Sequence, residues 1–111
     1  MPLELPRAVA DYIEANIRLD LNGMMKKFAP DAVFTDNGKD FVGKDAIRTM
    51  LRDEAIAAKA VFEPDTSREE DGKVVLEGPA HGEFPVSPLR FTYRFGLEGD
   101  AIKSLETIVW A

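Results

Sequence analysis

Apolar residues recur at helical spacing from Pro6 to about Leu19, with Val9, Tyr12, Ile13 and Ile17 on one stripe and Asp11, Glu14 and Arg18 away from it. The spacing predicts a first amphipathic helix. Asp20 can cap a second, shorter helix that turns Leu21, Met24, Met25 and Phe28 toward a core and stops at Ala29-Pro30. From Ala32 the pattern turns to strand. Ala32-Val33-Phe34-Thr35-Asp36 is rich in β-branched and aromatic residues, and Asn37-Gly38 supplies the positive φ angles of a tight turn into Phe41-Val42. A third helix is expected from about Lys44 to Ala58, with Ile47, Met50, Leu51 and Ala55 inward and Arg48 and Arg52 outward.

Everything beyond that helix reads as strand. The runs are Ala60 to about Ser67, Lys73 to Phe84, Leu89 to Glu98 and Ala101 to Trp110. Asp71-Gly72, the Pro85-Val86-Ser87-Pro88 bend and Gly99-Asp100 separate them. An antiparallel meander is the pairing this spacing favours. In the third run Leu89, Phe91, Tyr93, Phe95 and Leu97 alternate with Arg90, Thr92, Arg94, Gly96 and Glu98, so one face is core and the other is wet or an interface. Three helices followed by a curved antiparallel sheet describe an α+β domain whose helices cover one sheet face.

Composition narrows the class. A chain of 111 residues suits one domain spanning residues 1–111, with a single core and a small internal cavity. Its 45% hydrophobic and 31% charged residues are those of a globular protein. A net charge of -6 with scattered basic residues argues against nucleic acid as a partner. No run is long and apolar enough for a membrane helix, and the N-terminus lacks a signal-peptide pattern, so the mature chain is expected to start at or near Met1 and to be cytoplasmic. With no cysteine and a single histidine, His81, the sequence offers neither thiolate chemistry nor a His-rich metal cluster, and no metal site is expected.

Helix, Asp20-capped helix, Phe28-Ala-Pro-Asp-Ala-Val, strand and the Gly43-Lys-Asp-Ala-Ile helix follow in order. Phe84-Pro-Val-Ser-Pro-Leu, Tyr93-Arg-Phe-Gly-Leu-Glu-Gly-Asp-Ala-Ile and Leu105-Glu complete the set. Over nearly its full length this sequence resembles the nuclear transport factor 2-like superfamily, and most of all its SnoaL-like branch, which includes polyketide cyclases and ketosteroid isomerases. The resemblance implies a cone-shaped half-barrel closed by three N-terminal helices, a deep apolar pocket, and a homodimer formed through the outer sheet face. It does not fix the reaction, because one fold hosts many activities.

Within that resemblance Asp36 stands where ketosteroid isomerases carry their proton-shuttling carboxylate, and Tyr12 matches the tyrosine that donates to the substrate oxyanion. Phe34, Phe41, Phe91 and Tyr93 are the expected substrate-binding side chains. Apolar neighbours strip hydration from a carboxylate, which favours its use as a base near neutral pH, and a facing phenol can stabilise a dienolate. Those isomerases also place a second acid beside the oxyanion. The position that aligns here is Phe91, which donates nothing, while alternation turns Thr92 to the opposite face.

Each candidate has a plainer reading. Asp36 precedes Asn37-Gly38 and can simply accept backbone hydrogen bonds at the turn, and Tyr12 can be a core tyrosine with one satisfied hydroxyl. His81 alternates with Glu77 and Glu83 opposite the more apolar face and is expected outside the pocket, unless a bulge at Gly78-Pro79 reverses it and makes His81 and Glu83 an acid/base pair. Glu69-Glu70-Asp71 is expected to be a solvated hairpin tip, and Trp110 to pack at a dimer seam or on the barrel wall. An epoxide hydrolase variant, needing an inward arginine, is disfavoured because Arg90 and Arg94 point outward.

Two function classes follow. In one, a cofactor-independent isomerase or aldol-type cyclase uses Asp36 as general base on a small apolar carbonyl compound. In the other, the cavity holds a hydrophobic ligand in a non-catalytic or accessory dimeric protein.

Overall fold

In a computed structural model that describes residues 4–85 and 87–110, the chain folds into three helices packed on one face of a curled sheet. Met1, the expected start of the mature chain, and Val86, inside the expected bend, lie outside the described residues. Helix α1 (Arg7–Ile17) buries Val9, Tyr12, Ile13 and also Asn16, whereas Ile17 is 48% exposed. The apolar stripe thus ends one turn earlier than the pattern suggests. Asn16 takes the inward place because both ends of its amide are used: Nδ2 donates to the Ala60 carbonyl at 2.9 Å and Oδ1 accepts from the Phe62 N–H at 2.8 Å.

Helix α2 (Leu21–Met25) is capped as expected, with Asp20 Oδ1 accepting from the Gly23 N–H at 3.1 Å. Strand β1 (Phe28–Asp36) then begins four residues before Ala32 and runs through Pro30. The register with its neighbour breaks between Phe28 and Val33, which accommodates the proline inside a strand. Asn37 and Gly38, at φ 48° and 88°, turn the chain into β2 (Lys39–Val42), the predicted hairpin. Helix α3 (Lys44–Met50) passes into a π-helical segment, Leu51–Ile56, in place of the regular α-helix expected to about Ala58.

The run expected from Ala60 to Ser67 is split into β3 (Val61–Phe62) and β4 (Thr66–Glu70), both antiparallel to β5 (Lys73–His81). Phe62 pairs with Ala80 and Thr66 with Glu77, so Glu63-Pro64-Asp65 carries the surplus residue. Such a bulge bends the sheet edge. Gly78 makes the bend possible, since a Cβ there would lie 2.6 Å from Glu63 O and from Pro64 Cα. Strands β6 (Leu89–Glu98) and β7 (Ala101–Val109) complete a sheet of order β2-β1-β7-β6-β5-β3, with β4 also on β5.

The expected antiparallel meander holds for all four runs after α3, with β3 and β4 paired to β5, β5 to β6 and β6 to β7, but it does not describe the whole sheet. Strand β1 joins the free edge of β7 in parallel, so the sheet is mixed and curls into a half-barrel. Alternation specifies which face a strand buries and is silent on its direction. Phe28, Ile47, Leu51, Phe95, Ile102 and Leu105 form the sealed core between helices and sheet.

Candidate active site

Register assembles the site. Asp36 on β1 pairs with Thr107 on β7, which pairs with Tyr93 on β6, which pairs with Leu76 on β5. Directly paired residues share a sheet face, so these side chains form one transverse row inside the cone. The deeper row, Phe34, Leu105, Phe95 and Val74, is apolar. Above the polar row lies a cavity of about 230 Å³ whose lining includes Tyr12, Phe34, Asp36, Phe91, Tyr93 and Thr107. Exposed Asn37 and Glu54 also line it, which places its mouth between the β1–β2 turn and the π-helical segment.

Of the six residues expected at the site, five line this cavity. Phe41 does not. It is paired with Phe34 and faces the same way, but it sits one strand further out on the edge strand β2, beneath the Lys39 ammonium at 5.3 Å and beside Asp45 and Met50. The sheet edge, not the cone, receives it.

Asp36 is held by a side chain: Thr107 Oγ1 donates to Asp36 Oδ1 at 2.8 Å, from a threonine that is itself buried. The turn's bonding falls to Asn37, whose N–H donates to the Thr107 carbonyl and whose Oδ1 accepts from the Val109 N–H, both at 2.8 Å. The plainer reading of Asp36 as the turn's acceptor therefore describes its neighbour.

Tyr12 packs edge-on against Phe28 and Phe95, with ring centroids 5.7 and 5.8 Å apart. Tyr93 stacks on Phe62 at 3.8 Å and is braced edge-on by Phe91. These contacts fix both rings. Neither hydroxyl has a hydrogen-bond partner among the described residues, so Tyr12 is in the core without the satisfied hydroxyl that a purely structural role implies. Burial, and then the charges of Tyr93 and Asp36, hold the Tyr12 phenol well above the ordinary phenol range. Burial and then Asp36 do the same to Tyr93. Both remain protonated at any physiological pH and are available only as neutral hydroxyls.

Asn16 also lines the cavity, but its amide is committed to backbone. Thr107, Asn37 and Glu54 line the cavity although the sequence pattern did not single them out as site residues; Glu54 follows the inward positions Ile47 and Leu51 at helical spacing and stands at the mouth. His81 lies outside, exposed and paired with Glu63. The register of β5 with β6 is unbroken from Val74 to Ala80, and the bulge that would have turned His81 inward sits on the neighbouring β3–β4 segment instead. Arg90 pairs with Asp65 and Arg94 with Glu106 on the outer face, as alternation requires. Trp110 is there too, its Nε1 donating to Thr92 Oγ1 at 2.7 Å and the Arg90 guanidinium lying over its ring.

A helix-covered half-barrel enclosing one apolar cavity with a polar row across it is the architecture of a small-molecule pocket domain. Residues 9–104 match the SnoaL-like domain model, and the chain belongs to that family, within the nuclear transport factor 2-like superfamily. A candidate polyketide cyclase from Sinorhizobium meliloti is 34% identical over 93% of this chain and 94% of its own, with a TM-score of 0.85. The Orange Carotenoid Protein of Anabaena, solved binding canthaxanthin, superposes with a TM-score of 0.83 at 20% identity. It covers 97% of this chain, which spans 37% of that protein. A nuclear transport factor 2-like protein of unknown function from Cytophaga hutchinsonii covers 99% of this chain and 95% of its own, at 16% identity and a TM-score of 0.78. No curated protein matches the sequence.

Proposed function

We propose that the protein is a cofactor-independent isomerase or aldol-type cyclase of ketosteroid isomerase type, acting on a small apolar carbonyl compound. The observation that carries this reading is the cavity shared by the Asp36 carboxylate and the Tyr12 hydroxyl, which has no partner among the described residues. Asp36 removes a proton from carbon next to the carbonyl, and the bond's electrons move onto the carbonyl oxygen. Tyr12 donates a hydrogen bond to that oxygen as its charge grows. In an isomerase the protonated Asp36 returns the proton to another carbon of the conjugated system. In a cyclase the carbanion attacks a second carbonyl of the same molecule, whose oxygen takes up a proton. Thr107 keeps one carboxylate oxygen occupied and leaves the other to reach the substrate.

Size limits the substrate. An apolar cavity of about 150 Å³ takes up benzene, so about 230 Å³ suits one substituted ring or two fused ones. Incubating the protein in deuterated water with cyclohexenone and following loss of the ring C–H signals by NMR tests the reading. Exchange in the wild type that is abolished in Asp36→Asn is the expected result; wild-type exchange no faster than in buffer would end it.

A second reading rests on Phe91, an apolar side chain where the isomerases carry their second acid: the cavity holds a hydrophobic ligand without turning it over. The carotenoid protein, of which the matched fold makes up 37%, was solved binding canthaxanthin, which is in keeping with this reading. In both readings we place the protein in the cytoplasm as a homodimer joined through the outer sheet face, where Trp110 and Val42 stand 47% and 66% exposed.

A further inference from the structure

The isomerase-type reading leaves the oxyanion with one donor, because Phe91 contributes none. Two residues along the same strand and on the same face, Tyr93 lines the same cavity. Buried phenols ordinarily find a hydrogen-bond partner. Here the buried Tyr12 from the helical wall and the half-buried Tyr93 from the sheet have none among the described residues, yet no described buried side-chain oxygen or nitrogen is sealed away unpaired. Both hydroxyls therefore open onto the cavity. Their rings are held by Phe28, Phe95 and Phe62, so neither needs to reorganise to meet a ligand. Across the row from Tyr93, on the far side of Thr107, stands the carboxylate.

We propose that the hydroxyls of Tyr12 and Tyr93 together form a two-donor site for the oxygen of a small cyclic ketone or its enolate, with Tyr93 supplying the hydrogen bond that Phe91 cannot. The proposal rests on the isomerase-type reading for its ligand class. It does not rest on turnover. A neutral phenol gives a proton share to a carbonyl and a larger one to an enolate, so the pair stabilises the charge-separated state more than the ground state. Asp36 and Tyr93 stand on the two sides of Thr107 in one sheet row and Tyr12 comes from the helical wall, a separation that permits Asp36 to work on a carbon while both phenols hold the oxygen.

The test uses cyclohexenone isotopically labelled at its carbonyl and reads the stretching frequency of the bound molecule by difference infrared spectroscopy. In the wild type the band should lie well below its position in alkane. Tyr12→Phe and Tyr93→Phe should each move it part of the way back and weaken binding about tenfold, and the double variant should move it the whole way. A Tyr93→Phe band that coincides with the wild type, or no bound band in the wild type at millimolar enone, overturns the proposal. If a variant fails to fold, the ring carbon bearing the hydroxyl in labelled wild-type tyrosine carries the test: both signals should move on adding the enone, and movement of the Tyr12 signal alone overturns it. Asp36→Asn should retain the lowered band. Lowered bands without proton exchange would remove the catalytic reading and leave the two-donor site standing.

Discussion

Both phenols at the site are held protonated by burial and by the Asp36 charge, and this has a consequence for stability that needs no substrate. The folded state keeps both protons at a pH where the unfolded chain, with phenols titrating at about 10, releases them. Above that pH the unfolded state binds fewer protons, so stability is fully present below about pH 10 and falls as pH rises. The fall is about 1.4 kcal/mol for each phenol by about pH 11, as long as the folded-state values lie well above this. Tyr12 and Tyr93 together therefore cost about 3 kcal/mol, a large share of the roughly 5–15 kcal/mol that holds a domain together. Urea unfolding followed by fluorescence of Trp110, at about pH 9 and about pH 11, measures the loss. Tyr12→Phe and Tyr93→Phe should each remove about 1.4 kcal/mol of it, and the double variant should retain only the dependence due to lysines and to the change in net charge. A double variant as sensitive to alkali as the wild type would refute the environment described for both rings.

Asn16→Ala should destabilise the protein by about 2–4 kcal/mol in urea unfolding at neutral pH, because it strands the Ala60 carbonyl and the Phe62 N–H inside the fold. Gly78→Ala should cost about 1–3 kcal/mol or more, since its new methyl meets backbone that cannot swing aside. Steroids should fail to displace bound cyclohexenone from a cavity of about 230 Å³, whereas a fused two-ring ketone should displace it, as measured by competition in the infrared experiment. Sedimentation at micromolar concentration should show a dimer, with Trp110→Ala shifting it toward monomer.

Much of the fold was legible because its determinants are local. The Asp20 cap, the Asn37-Gly38 turn and the alternation of β6 each depend on residues within a few positions of one another. What escaped has its cause far along the chain or in backbone geometry. The parallel docking of β1 on β7 is a tertiary choice that alternation cannot encode. The break between β3 and β4 falls at Pro64, which is visible in the sequence, but its effect depends on Gly78 opposite it. The family resemblance puts Phe41 in the pocket, whereas its position on an edge strand follows only from the strand order.

The site illustrates the same division. Asp36 and Tyr12 come into one cavity as the family resemblance implies, but the missing donor at Phe91 looked like a deficit only because positions were compared one for one. Alternation already placed Tyr93 on the same inward face, two residues further along β6. Its relation to Asp36 required the registers of two strand pairs, one of them the parallel pairing that the sequence did not specify. Once that row is drawn, the cavity holds two phenols, and on the proposed reading the one on the sheet stands in for the acid. A phenol held neutral by burial carries its proton without the cost of keeping a carboxylic acid protonated beside Asp36, where a second carboxylate would raise the electrostatic stakes of every ionisation. On the proposed reading, that difference makes Tyr93→Phe, more than any change at Phe91, the substitution that tests the chemistry of this pocket.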